Sequence, residues 1–168
     1  FLVQVISNNN VKNVTGVPVP RHGTLRHRLS VVLSAALGSS DRGVRRFTVT
    51  SIVPDPSNGS LRRIGITWSI NNDVGAGTIG NGAAIDVYAM LRNLYSSHLS
   101  VGSVRLIGTY PMRSGSRRHE ATVMRLGMNH KTATVIAGNG WSTLDASAVW
   151  PLVNRYYVSS DFQPQTGG

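Results

Sequence analysis

Gly75-Ala76-Gly77-Thr78-Ile79-Gly80 spells G-x-G-x-x-G. In a βαβ unit such a loop lets backbone N–H groups cradle a pyrophosphate at a helix N-terminus. A strand pattern precedes it, a helix pattern follows, and another strand comes next. Three features weigh against nucleotide binding. The preceding strand alternates polar and apolar residues, whereas central parallel strands are apolar on both faces. No acid stands near the end of the following strand to hold a ribose; Tyr110-Pro111 is there instead. The rest of the chain cannot complete a doubly wound sheet. The expectation is a flexible helix start whose free N–H groups hold at most an anion.

Other chemistry finds few residues to work with. His22, His27, His98, His119 and His130 show no paired metal spacing. His119-Glu120 falls on a strand pattern, where neighbours point to opposite faces. The seven carboxylates are Asp41, Asp55, Asp73, Asp86, Asp145, Asp161 and Glu120. Most lie near turns or helix ends, where Asp shapes backbone. Asp86 sits one position off an apolar helical stripe, so it either pairs with a basic side chain from an adjacent strand or faces solvent. No G-x-S-x-G elbow and no cysteine occur, which removes that hydrolase motif, thiol catalysis, disulfides and thiolate metal sites. The expectation is a protein that is not an enzyme and needs no cofactor or metal.

Charge is the stronger signal. The 168 residues carry 17 Lys plus Arg against 7 Asp plus Glu, a formal net charge of +10. Fifteen of the basic residues are Arg, whose planar guanidinium binds phosphate or carboxylate in a bidentate manner. Such an excess favours an anionic partner: nucleic acid, an anionic lipid surface or an acidic polymer. A solvated surface in a chain short of acids is the plainer alternative. The candidate contacts are the basic turn with Arg113, Arg117 and Arg118, together with Arg45, Arg46, Arg62 and Arg63 on a neighbouring hairpin. Self-association is a further possible use of such a surface. RNA-binding sheets stack bases on exposed strand aromatics beside arginines. Here Trp68, Tyr88 and Tyr95 fall on apolar faces and read as core.

The elements follow from periodicity. Thr24 is an N-cap; Leu25, Leu29, Val32, Leu33, Ala36 and Leu37 form a helical stripe, and Gly38 stops it. Val44 to Val53 is β-rich. After the turn Pro54-Asp55-Pro56-Ser57-Asn58-Gly59, the residues Ile64, Ile66, Trp68 and Ile70 alternate with polar ones. These two strands make an antiparallel hairpin. A second helix carries Ala84, Val87, Tyr88, Leu91, Leu94 and Tyr95. A third strand ends at Pro111, a fourth covers His119 to Leu126, and Lys131 to Ala137 suggests a short helix. The aromatics from Trp141 to Phe162 are expected to pack on the open side of the core. The fold expected is α+β: a two-layer sandwich of a mainly antiparallel four- to five-stranded sheet with helices packed on one face, in the order α-β-β-α-β-β plus a mixed tail. Residues 1–23 read as an N-terminal extension or linker, 24–163 as one domain, and 164–168 as a frayed tail.

Thr67-Trp68-Ser69-Ile70-Asn71-Asn72-Asp73, Gly77-Thr78-Ile79, Gly82-Ala83-Ala84-Ile85-Asp86-Val87, Gly108-Thr109-Tyr110-Pro111-Met112 and Asp161-Phe162-Gln163 together carry a resemblance. They resemble a domain family of unknown function in bacterial proteins of Gram-positive and Chloroflexi-like lineages, over roughly residues 47–163. Its members usually follow a transmembrane segment or zinc ribbon on the outer side of the membrane. The resemblance therefore implies an extracytoplasmic, membrane-tethered or secreted module, with Phe1 to Ile6 as an anchor remnant or a strand. It implies no activity. Where the family often has an acidic, glycine-bearing turn, this chain has Arg113-Ser114-Gly115-Ser116-Arg117-Arg118. Any ligand of that turn is expected to differ accordingly. A chain that starts at Phe1 is read here as a mature or truncated fragment.

Overall fold

The computed structural model describes residues 2–7, 10–15, 19–41, 43–70 and 79–163. Among the described residues, strands β1 (Leu2–Ser7) and β2 (Asn10–Thr15) pair with each other as an antiparallel hairpin. The first residues are thus a strand. Helix α1 (Leu25–Leu37) begins where Thr24 accepts a hydrogen bond from the His27 N–H at 3.2 Å, and it ends at Gly38. Leu29, Val32 and Leu33 are fully buried. Each contributes about 1.5–3 kcal/mol of transfer free energy. Two short strands, β3 (Ser40–Asp41) and β4 (Val44–Arg45), lead into the main sheet.

That sheet has five strands in sequence order: β5 (Phe47–Pro54), β6 (Arg62–Ser69), β7 (Val101–Ser114), β8 (Arg117–Met128) and β9 (Asn154–Val158). The class is α+β with a mostly antiparallel open sheet. Helix α2 (Ile79–Ser96) connects β6 to β7, and these two strands are parallel. The polar alternation of β6 therefore did not exclude a parallel partner. Its polar positions Arg63, Thr67 and Ser69 are half-buried on the opposite sheet face, so a one-sided strand suffices. The unit is a true βαβ crossover, although β5–β6, β7–β8 and β8–β9 are antiparallel. Helix α1 touches α2 and β5, while α2 also touches β7 and the short helix α4 (Ala146–Val149), which follows α3 (His130–Asn139). Asn93 Nδ2 ties α2 to α1 by donating to the Val32 carbonyl at 3.3 Å.

Two expectations need correction. Pro111 does not stop β7, which runs on to Ser114 opposite β8, with Pro111 facing Glu120. The reason is that β6 has already ended: its last pair with β7 is Ser69–Thr109. Beyond it β7 is an edge on that side, where a missing N–H breaks no ladder. The aromatic tail also divides. Trp141, Trp150 and Phe162 are buried, and Tyr95 stacks on Trp141 at 5.8 Å. Tyr156 and Tyr157 instead lie on β9 with 68% and 47% exposure.

Gly75 and Gly77 lie outside the described residues, but Gly80 is in α2. A Cβ there would sit 2.8 Å from the Phe162 carbonyl oxygen and would also strike the Gln163 carbonyl. This glycine serves a close approach of the C-terminal segment to the helix. Gly80→Ala is expected to lift that segment, expose Phe162 and lower stability by about 1–3 kcal/mol. Thermal unfolding together with limited proteolysis near residue 163 checks this.

Candidate functional site

Register and burial divide the main sheet into two faces. Ile64, Ile66 and Trp68 of β6, Val104 and Leu106 of β7, and Met124 and Leu126 of β8 are buried on one of them. The alternating positions form the other. Arg63 and Thr67 lie there on β6, beside Arg105, Ile107, Thr109 and Arg113 on β7. On β8 the pairings Ile107–Arg125, Arg105–Gly127 and Arg113–Arg118 place Arg125 and Arg118 on the same face. Residue 123 is the extra one in the β8 irregularity, so Val123 and Met124 are both buried while the alternation of β7 continues.

The two tyrosines reach this face through a second irregularity. Arg125 pairs with Tyr157, and Leu126 pairs with Arg155, which leaves Tyr156 as the extra residue. A bulge bends the strand and re-aims its side chains. The ring of Tyr156 lies over Gly127, with Cε2 3.1 Å from where a Cβ would stand. Tyr157 lies beside Arg125. The result is a strip with five guanidiniums, two phenol rings and one carboxylate, Glu120, which stands opposite Pro111 two positions from Arg118. It is about 26 Å long from Arg105 to Arg113 and about 14 Å wide from β6 to β9.

One end of the strip is built by Asp55. This buried carboxylate accepts from the Ser103 N–H at 2.6 Å and the Ser57 N–H at 2.9 Å, and from both hydroxyls. The Ser103 and Ser57 hydroxyls, followed by the backbone donors, hold its pKa far below the usual carboxylate range despite burial. Arg63 Nε donates to the Ser103 hydroxyl at 3.4 Å, so the same network orients Arg63. A concavity of about 210 Å³ opens beside it, lined by Arg63, Arg105, Ser57, Asn154 and Tyr156. The Asp55 charge at its floor is occupied by four donors.

The other end is the β7–β8 tip, exposed from Met112 to Glu120. Its turn is only Gly115-Ser116, so Arg113, Arg117 and Arg118 belong to the strands. Arg113 and Arg118 stand directly opposite each other. Like charges in that position destabilise a sheet. Among the described residues, no acid lies within salt-bridge distance of Arg105, Arg113, Arg118 or Arg125.

The proposed set of seven arginines is not one cluster. Arg46 is buried at 4% exposure, with Nη2 bonded to both Asp86 carboxylate oxygens at 3.1 Å and Nη1 to the Ser69 carbonyl at 3.0 Å. It serves the fold and is withdrawn from the contact surface; Asp86 takes the paired alternative. Arg45 is exposed near the β7–β8 end of the sheet, while Arg62 and Arg63 lie half-buried at the opposite end. Sequence reasoning missed Arg105, Arg125, Tyr156 and Tyr157. Arg105 and Arg125 sit alone between apolar strand residues, and that alternation was the available signal. The other polar chemistry is structural. Asp145 caps α4 by accepting from the Ala148 N–H at 2.9 Å, and the Tyr88 hydroxyl donates to the Trp141 and Leu144 carbonyls.

Fold and surface together define an open-sheet α+β protein with a basic, tyrosine-bearing face. No family model matches this chain, and neither does any curated protein or solved structure.

Proposed function

We propose that the protein is a non-enzymatic binding module that holds a polyanion on the open face of its sheet. The carrying observation is the register that aligns Arg63, Arg105, Arg125, Arg113 and Arg118 on one face, with Arg113 and Arg118 opposed. A fold that sets two cations opposite each other gains stability when an anion bridges them. The finer architecture belongs with this reading: α1, α2 and the C-terminal segment form one layer, and the arginine-bearing face of the sheet lies opposite it. The buried side of β6 to β8 and the exposed arginines opposite support it. Export and tethering rest on the family resemblance. Among the described residues, no helix is long and apolar enough to cross a membrane.

Charge-matched variants separate this surface from net charge alone. Arg105→Gln/Arg125→Gln is expected to weaken binding to a heparin oligosaccharide at least tenfold in 100 mM salt. The control Arg21→Gln/Arg28→Gln, before and on α1, changes it less than threefold. Isothermal titration reads both. Equal losses in the two variants would reduce the effect to overall charge and remove the proposed surface.

A further inference from the structure

We infer that the polyanion is a single-stranded nucleic acid, with bases stacked on Tyr156 and Tyr157 and phosphates on the flanking arginines. This rests on the polyanion reading and deepens it. A sulfated polymer or a lipid headgroup engages chiefly the guanidiniums, whereas a single strand offers flat π-faces for the phenol rings as well as phosphates for the arginines. Bases have π-faces that stack on exposed aromatic side chains whatever their sequence. The rings are 68% and 47% exposed on the edge strand, and the β9 irregularity aims both at the arginine strip. Gly127 gives Tyr156 a flat seat, because any side chain there would meet its ring.

The chemistry along the strip divides cleanly. Tyr157 faces Arg125 across the β8–β9 pair, so a base on the ring places its phosphate near a guanidinium. Arg105 and Arg63 flank Tyr156 around the 210 Å³ concavity, which takes a phosphate or a chain end. Arg113 and Arg118 take phosphates farther along the same strand of nucleic acid. A duplex offers phosphates to this surface but keeps its bases stacked on one another, out of reach of the rings. The surface therefore discriminates single strands from duplexes by the tyrosines and binds either by the arginines.

Fluorescence anisotropy on the full chain tests this with a labelled 12-nucleotide uridylate strand, a duplex of equal length, and the heparin oligosaccharide. The single strand is expected to bind tightest. The plot of log K against log salt should have a slope of about −2 to −3.5, at about 0.7 per phosphate neutralised. Tyr156→Ala and Tyr157→Ala should each weaken single-strand binding about 5- to 150-fold. Both should leave heparin binding unchanged, and Tyr156→Phe and Tyr157→Phe should bind as the native chain does. Equal affinity for strand and duplex with no effect of the Tyr→Ala changes overturns stacking and leaves the polyanion reading intact. Binding to phosphatidylserine vesicles with none to the oligonucleotide overturns it in favour of a lipid surface. Binding to none of these probes overturns both readings.

Discussion

Arg46→Met is expected to lower the stability of the fold by about 3–5 kcal/mol, and Asp86→Leu by a similar amount. Each change leaves one buried charge facing a missing partner, which is why the loss is large. Arg46 lies in the segment between β4 and β5, and Asp86 lies on α2, so their pair fastens the crossover helix to the first strand of the sheet. The Ser69 N–H donates to the Arg46 carbonyl at 2.8 Å while Arg46 Nη1 binds the Ser69 carbonyl, which also closes the end of β6 onto this point. The double variant Arg46→Met/Asp86→Leu removes both charges and keeps apolar volume. It is expected to recover most of the loss, because an apolar pair of similar size is often as stable as a buried ion pair. Urea unfolding of the two single variants and the double variant gives the coupling energy. Simple additivity of the single losses would contradict the assignment.

The Asp55→Ala change comes next, at about 3–4 kcal/mol at neutral pH. It strands two backbone and two hydroxyl donors, and it unties the β5–β6 turn from the start of β7. The sign of the pH dependence follows from the depressed pKa. Folding favours the ionised form, so the stabilisation is fully present above the ordinary value of 3.8 and is lost as the pH falls toward the lower folded value. The stability gap between native protein and Asp55→Asn should be constant from pH 6 to 8 and should shrink below about pH 4. A gap that held steady down to pH 2.5 would show that the carboxylate charge is not what the four donors recognise.

Local chemistry was legible wherever a residue's role depended on its own sequence neighbours. Thr24 and Gly38 bound α1 as their types require, and the alternation of Ile64, Ile66 and Trp68 gave the buried face of β6. Asp86 as a partner for a basic side chain followed from its place beside an apolar stripe, although that cation, Arg46, stands in the bend between β4 and β5 and not on a strand. What escaped was set by long-range pairing. Nothing in residues 62–69 states that their other neighbour is parallel, since that depends on where β7 returns after α2. The continuation of β7 through Pro111 depends on β6 having ended. The arginine pairs drew the eye because they are adjacent in sequence, yet strand neighbours diverge and Arg46 goes into the core. The residues that do share a face, Arg105 with Arg113 and Arg125 with Tyr157, come together only through register and two irregularities. Tyr156 and Tyr157 looked like core aromatics because single-sequence hydropathy does not reveal an edge strand.

An amide-resolved NMR titration of the full chain with the 12-nucleotide strand tests the binding face most directly. Shift changes should concentrate at residues 103–107, 113–118, 125–127 and 154–157, and should fade as salt is raised. Perturbations centred on the exposed faces of α1 or of the helix at His130–Asn139, with the outer sheet silent, would contradict it.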